Sequence, residues 1–339
     1  MSAVRASVSG MAHNSRPSRP PDKAHDALFK TAFSRPADIA SELVSVLPPA
    51  VAERIDLTQL KQVPGSFVDD DLSWRHTDLL FEAPFENQSA YIYVLVEHQS
   101  TSDPLMAFRL LEYMTRIWRQ HLTERRSVKT LPPILPLVVS QDRRGWRSAQ
   151  DLHTLLGIAP DAPEAAFVPQ FRYALDDLAQ TDASTLLLRP LTDYARVALF
   201  LLKEASHNDN LVAVLSAGWL EPLRAVSENP AGEPRFRAIL DYILRVAEAP
   251  EEDVIRLAAQ IGPKAQEEAM STADQILTRG RIEGRVEGRV EMLIRQLSLK
   301  FGPLSEHDLD RLHNATDADL DRWADAVLTA ATLNEALGR

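Results

Sequence analysis

Six uncharged residues, Tyr91-Ile-Tyr-Val-Leu-Val96, run straight into Glu97-His98-Gln99. A run this short, made of β-branched, aromatic and aliphatic residues, suits a strand in the middle of a sheet. It is too short to cross a bilayer. No run of 18 or more apolar residues occurs elsewhere in the chain, which excludes a transmembrane helix. The neighbours of the strand then set the fold class.

Upstream, Leu28, Phe29, Ala32 and Phe33 form an apolar face at helical spacing, predicting a helix from about Ala24. A second helix is expected from Pro36 to Leu47, stopped by Pro48-Pro49. Helical periodicity is lost between Ser66 and Glu97. Ser73 to Glu82 reads as a strand, and Ala83 to Ala90, with Pro, Asn and Ser, as a turn. A helix from Pro104 to Arg126 follows, with Asp103 as its cap, and then a buried strand from Leu131 to Ser140. Helix, helix, hairpin, helix and strand make an α/β core with a small mixed sheet flanked by helices, followed by a helical region.

The 339 residues allow two domains. Residues 1–22, rich in Ser, Arg and Pro, read as a disordered tail without a secretory h-region. The core is expected over 23–150, a helical extension supporting it over 151–270, and a Gly-repeat helix with a small helical domain over 271–339. There is no Cys, so no disulfide, thiol nucleophile or Cys-ligated zinc is available, and a cytoplasmic location is the default. The net charge of −11 is uneven. Residues 1–150 hold 18 Lys and Arg against 17 Asp and Glu, the remainder 19 against 31. Nucleic-acid binding would therefore need a local basic surface, more readily found in the first half.

Glu97 and Gln99, two apart on a strand, leave the same face, and His98 the other. Asp78 lies on the hairpin partner. Taken alone Asp78 reads as a polar strand end, whereas Glu97 closes a buried strand, and an acid there needs a partner. Two carboxylates brought together there repel each other, and a divalent cation relieves the repulsion. Magnesium, which takes one or two carboxylates plus water and phosphate oxygens, suits such a pair. The scattered histidines give no His-x-x-x-His and no case for zinc.

Several stretches together resemble the Rpn family of recombination-promoting nucleases, also called YhgA-like putative transposases. They are His25-Asp26-Ala-Leu-Phe-Lys30, Arg75-His-Thr-Asp78-Leu-Leu-Phe, Tyr91 to Ser100, Met106-Ala-Phe-Arg109-Leu-Leu-Glu-Tyr113 and Leu131 to Val139. The resemblance implies a PD-(D/E)XK nuclease-like core over roughly residues 24–150. It also implies Asp78 and Glu97 as ligands of a divalent metal such as Mg2+, with Gln99 where many superfamily members carry Lys. A lysine would supply a cation to the transition state, and Gln supplies none. Lys30 reads equally as that missing cation or as a solvated residue. Arg109, Tyr113 and Arg116 share one helix face, either solvated or in contact with DNA phosphates. The implied activity is metal-dependent DNA endonuclease chemistry in recombination or mobile-element biology. The alternative is a catalytically weak or inactive DNA-binding or scaffold protein that keeps the fold.

After Arg279-Gly280 the sequence repeats every four residues, Arg-Ile-Glu-Gly from Arg281 and then Arg-Val-Glu-Gly, and with the following Leu-Ser-Leu-Lys-Phe-Gly302 it resembles a small C-terminal helical domain attached to many members of that family. Rows of like charge at i,i+4 weaken a lone helix. An apolar stripe of Ile282, Val286 and Val290 flanked by an Arg row and a Glu row suits a paired helix. The expectation is a homodimer through residues 279–339, with a solvated linker helix as the other reading.

Overall fold

The computed structural model describes residues 21–63, 79–85, 88–125, 127, 129–229 and 233–338. Of these, residues up to Thr272 form one compact unit and residues from Ala273 another.

The first unit opens with α1 (Pro21–Phe33), α2 (Pro36–Val46) and the single turn α3 (Pro49–Ala52). Then come β1 (Lys61–Val63), β2 (Leu79–Phe85), β3 (Gln88–Gln99), α4 (Met106–Glu124) and β4 (Ile134–Ser140). After the short α5 (Leu152–Leu156), β5 (Ala174–Asp177) completes a five-stranded sheet in the order β1-β2-β3-β4-β5. The first three strands are antiparallel and the last three parallel, so β3 lies centrally with an antiparallel neighbour on one side and a parallel one on the other. This is the small mixed sheet flanked by helices that the sequence pattern implies.

Two differences from that pattern have physical causes. The stretch Ala83 to Ala90 is largely strand, since β2 runs to Phe85 and β3 resumes at Gln88. Pro84 is accommodated where the register shifts between Pro84 and Phe85, a position that tolerates a missing N–H. The four residues of β5 sit in a stretch expected to be helical and carry no β-branched residue. They are strand because the edge of β4 offers them a ladder and because both of their acids are partnered, as described below. The expected strand start at Ser73 lies outside the described residues, as does the N-terminal tail through Pro20.

Helices cover both faces. On one, Met106, Ala107, Leu110, Met114 and Ile117 of α4 pack against Leu80, Ile134, Val138 and Tyr173. On the other lie α1 and α2, with Phe29 of α1 stacked on His98 of β3 at 4.6 Å between ring centroids. Behind α1 come α6 (Ala183–Leu188), α7 (Asp193–Glu204), α8 (Leu211–Gly218), α9 (Leu220–Glu228), α10 (Glu233–Val246) and α11 (Glu251–Ile261). In α7, Tyr194, Ala195 and every residue from Val197 to Leu202 are buried, the signature of a helix enclosed all round. It packs against α1, as does α10. The helical region up to α11 therefore shares a core with the sheet. Asp38 of α2 ties the layers together, accepting hydrogen bonds from Thr192 Oγ1 at 2.5 Å and from Arg235.

The second unit begins within α12 (Pro263–Phe301), a helix unbroken through Gly284 and Gly288, although each glycine costs about 1 kcal/mol against Ala. It continues through α13 (Glu306–His313), α14 (Asp317–Thr329) and α15 (Leu333–Ala336). Val290, Leu293 and Leu297 of α12 join Leu312, Leu320, Trp323, Val327 and Leu337 in a separate core, with Val286 packed at its margin. Arg289 bonds Asp317 Oδ1 at 3.0 Å and Asp321 Oδ1 at 2.5 Å. The apolar stripe is thus covered from Val286 onward by the chain's own helices, while Ile282 is left 60% exposed. No described helix is long and apolar enough to cross a membrane.

Candidate active site

β3 carries the candidate residues at its C-terminal end. Glu97 pairs in register with Val138, which is fully buried, and Gln99 pairs with Ser140. His98 is buried behind them. Its ring stacks on Phe29, and its Nδ1 lies 3.4 Å from the Asp26 carboxylate. His25, the preceding residue of α1, shares a 2.6 Å hydrogen bond between its Nδ1 and the hydroxyl of Tyr242 on α10. Burial pushes that hydroxyl's pKa well up. The His25-Asp26-x-x-Phe29 motif is therefore a tie from α10 through α1 to the strand that bears Glu97 and Gln99.

On the parallel side, two loops are laced together at the same end of the sheet. Gln141 donates its N–H to the Gln99 carbonyl at 2.9 Å. Asp142 Oδ2 accepts from Ser102 N at 3.0 Å and from Ser102 Oγ at 2.9 Å, while its Oδ1 accepts from Arg144 N at 3.1 Å. Burial by itself would raise the Asp142 pKa. These hydrogen bonds and the Arg144 charge outweigh burial and hold it below the usual range. Asp177 Oδ2 accepts from Trp146 N at 2.8 Å. Trp146 Nε1 donates to Tyr173 OH at 2.9 Å, and burial pushes the Tyr173 pKa up to about 12. Gly145 has φ of +74°, a backbone conformation that strains any residue with a Cβ, so glycine suits the turn.

A third acidic group lies on the opposite face. Asp176 accepts two 2.7 Å bonds from Arg189. Glu42 of α2 is wholly buried beside it, its carboxyl group within hydrogen-bonding reach of the Asp176 carboxylate. Desolvation, then the Asp176 charge, raises the Glu42 pKa well above its ordinary value.

The sequence-predicted residues are only partly gathered. Asp78 lies outside the described residues, as does the side chain of Glu97. Because His98 faces α1, alternation turns Gln99 to the other side of the sheet. Lys30 is half-buried on α1, and the sheet stands between that helix and the face to which Gln99 turns. Arg109 and Tyr113 do meet, with the guanidinium 5.9 Å from the ring centroid, but Arg109 is also bonded to Asp103 Oδ2 at 2.6 Å and is only 16% exposed. Arg116 is half-buried on the same helix. Sequence reasoning missed Glu42, Asp142, Asp176, Asp177 and the arginines after Asp142. The available signal was Asp142 and Gly145 directly after a strand, a turn signature.

A central strand ending in Glu-His-Gln, inside a mixed sheet with helices on both faces, defines a nuclease-like α/β core. The family described as putative transposase, YhgA-like, matches residues 23–231, and the chain belongs to it. It is 28% identical over 293 residues to recombination-promoting nuclease RpnA of Escherichia coli K12, covering 84% of this chain and 95% of the relative. Over 210 residues it is 30% identical to recombination-promoting nuclease RpnD of Escherichia coli O157:H7, covering 57% and 79%. It is also 32% identical over 114 residues to an inactive recombination-promoting nuclease-like protein, RpnE of strain K12, covering 34% and 38%. No solved structure matches the chain.

Proposed function

We propose that this protein is a metal-dependent DNA endonuclease whose site is built at the end of β3. The observation that carries this is the position of Glu97, set in register beside fully buried Val138 in the central strand and two residues before Gln99. A carboxylate at such a position calls for a cation. Asp78 immediately precedes Leu79, whose register partner Val96 immediately precedes Glu97, so chain connectivity keeps the two acids in one neighbourhood. Their hard oxygen donors suit Mg2+. A bound divalent cation would polarise the scissile phosphate and lower the pKa of a coordinated water. The Gln99 amide orients the attacking water without adding charge. Asp26 and His98 hold β3 against α1, and Asp142 holds the facing loops. The names of RpnA and RpnD support nuclease activity and a link to recombination.

Purified protein is expected to nick supercoiled plasmid DNA only with a divalent cation. Asp78→Ala and Glu97→Ala should each reduce nicking by about 100-fold or more with the fold intact. Gln99→Lys should keep or raise activity, and Gln99→Leu should lose it. Unchanged nicking in both alanine variants sinks the assignment. The second reading, a DNA-binding or scaffold protein with lost chemistry, is favoured by the name of RpnE, and by a wild-type protein that binds DNA but cuts with no metal.

Pairing of two chains through residues 279–339 is part of the proposal, supported by the exposed Ile282 at the end of the apolar stripe. Sedimentation should show a dimer that weakens in Ile282→Glu. A monomer at all micromolar concentrations overturns it.

A further inference from the structure

We propose that Arg144 and Arg147 form a DNA-backbone clamp beside the end of β3, gripping phosphates of the strand presented to the site. The choice of DNA as ligand rests on the nuclease reading; the cationic surface stands on geometry.

Arg144 and Arg147 are 66% and 56% exposed, in a chain whose net charge is −11. Both approach the same carboxylate, Asp142, at 3.5 and 3.9 Å. That carboxylate is already engaged by Ser102 and by the Arg144 backbone, and its single charge cannot neutralise two guanidiniums. The pair keeps net positive charge and open donor faces, the geometry that recognises phosphate.

The backbone beneath them is fixed. Gln141 is bonded to the Gln99 carbonyl, Trp146 N to Asp177 and Trp146 Nε1 to Tyr173. Arg147 N lies 3.4 Å from Ser102 Oγ, and Ser102 is three residues past Gln99. Exposed cations on a preorganised loop lose little freedom on binding. Arg109 is poorer placed for this role, being mostly buried and committed to Asp103.

The test is fluorescence anisotropy of full-length protein on a labelled DNA duplex, from 50 to 200 mM salt, in EDTA and again in Ca2+. Each phosphate contact contributes about 0.9 to the slope of log affinity against log salt. Arg144→Ala with Arg147→Ala should lower the slope by about 1.8 and the affinity at 0.1 M salt by about 60-fold. The double Lys variant should keep the slope, because it keeps the charge. Circular dichroism checks that each variant is folded. An unaltered slope in the double Ala variant overturns the clamp, as does a wild-type protein that binds no duplex in either condition. Failure of the nuclease reading looks different: duplex bound through these arginines, and no cutting with any metal.

Discussion

Glu42→Gln is expected to raise the melting temperature at pH 8 and to change it little at pH 4. Glu42 is enclosed between α2 and β5, with Asp176 beside it and one guanidinium, Arg189, already bonded to both Asp176 oxygens. One cation neutralises one carboxylate, so burial and the neighbouring Asp176 charge hold the Glu42 pKa above its ordinary value in the folded protein. In the unfolded chain it releases that proton near its ordinary value of 4.5. The folded pKa is raised, so the stabilising contribution is complete below the unfolded pKa and is lost as pH rises toward the folded one. Between the two, each pH unit costs about 1.4 kcal/mol. Gln has the same shape and no proton to lose. The difference in melting temperature between the two proteins should therefore widen as pH rises above 4.5 and level off once the folded pKa is passed, by about 2–4 °C per kcal/mol for a unit of this size. Parallel melting curves across pH 4 to 8 would show that Glu42 is charged in the folded protein.

Trp323→Ala should unfold the C-terminal unit and spare the rest. Trp323 is the largest member of a core of about ten side chains, covered by Arg311 at 5.0 Å from the ring. Removing a buried Trp costs about 3–5 kcal/mol, as much as a core this small supplies. Its other supports are local: a capping box between Thr316 and Asp319, the Ser305 cap, and Lys300 donating to the Val327 carbonyl at 2.8 Å. None of these replaces lost apolar burial. Limited proteolysis should then cut within residues 306–338, and calorimetry should show the transition of the larger unit unmoved. A single shifted transition for the whole chain would mean that the two units do not fold independently.

Local pattern was enough for α1, α2, α4, β3 and β4, because each carries its own periodicity or an unbroken apolar run. The same holds for the family motifs, which are short and ordered along the chain, and for the placing of Glu97 and Gln99 two apart on one strand. Tertiary structure decided everything that depends on a partner distant in sequence. β5 is a strand because β4 offers it an edge and Arg189 and Trp146 satisfy its acids. His25, read in a motif at a helix start, and His98, read as facing away from Glu97 and Gln99, join α10, α1 and β3. Arg109 reads as solvated or as a phosphate contact on a helix face and is held by Asp103, while Arg144 and Arg147, which no sequence pattern marks, share the Asp142 carboxylate. The apolar stripe of the repeat reads as an interface for a second chain, yet from Val286 onward the fold covers it with α13 to α15. Sequence records which side chains want burial or a counter-charge; which group meets the need is settled only when the chain closes, since any apolar surface or opposite charge in reach lowers the free energy equally well.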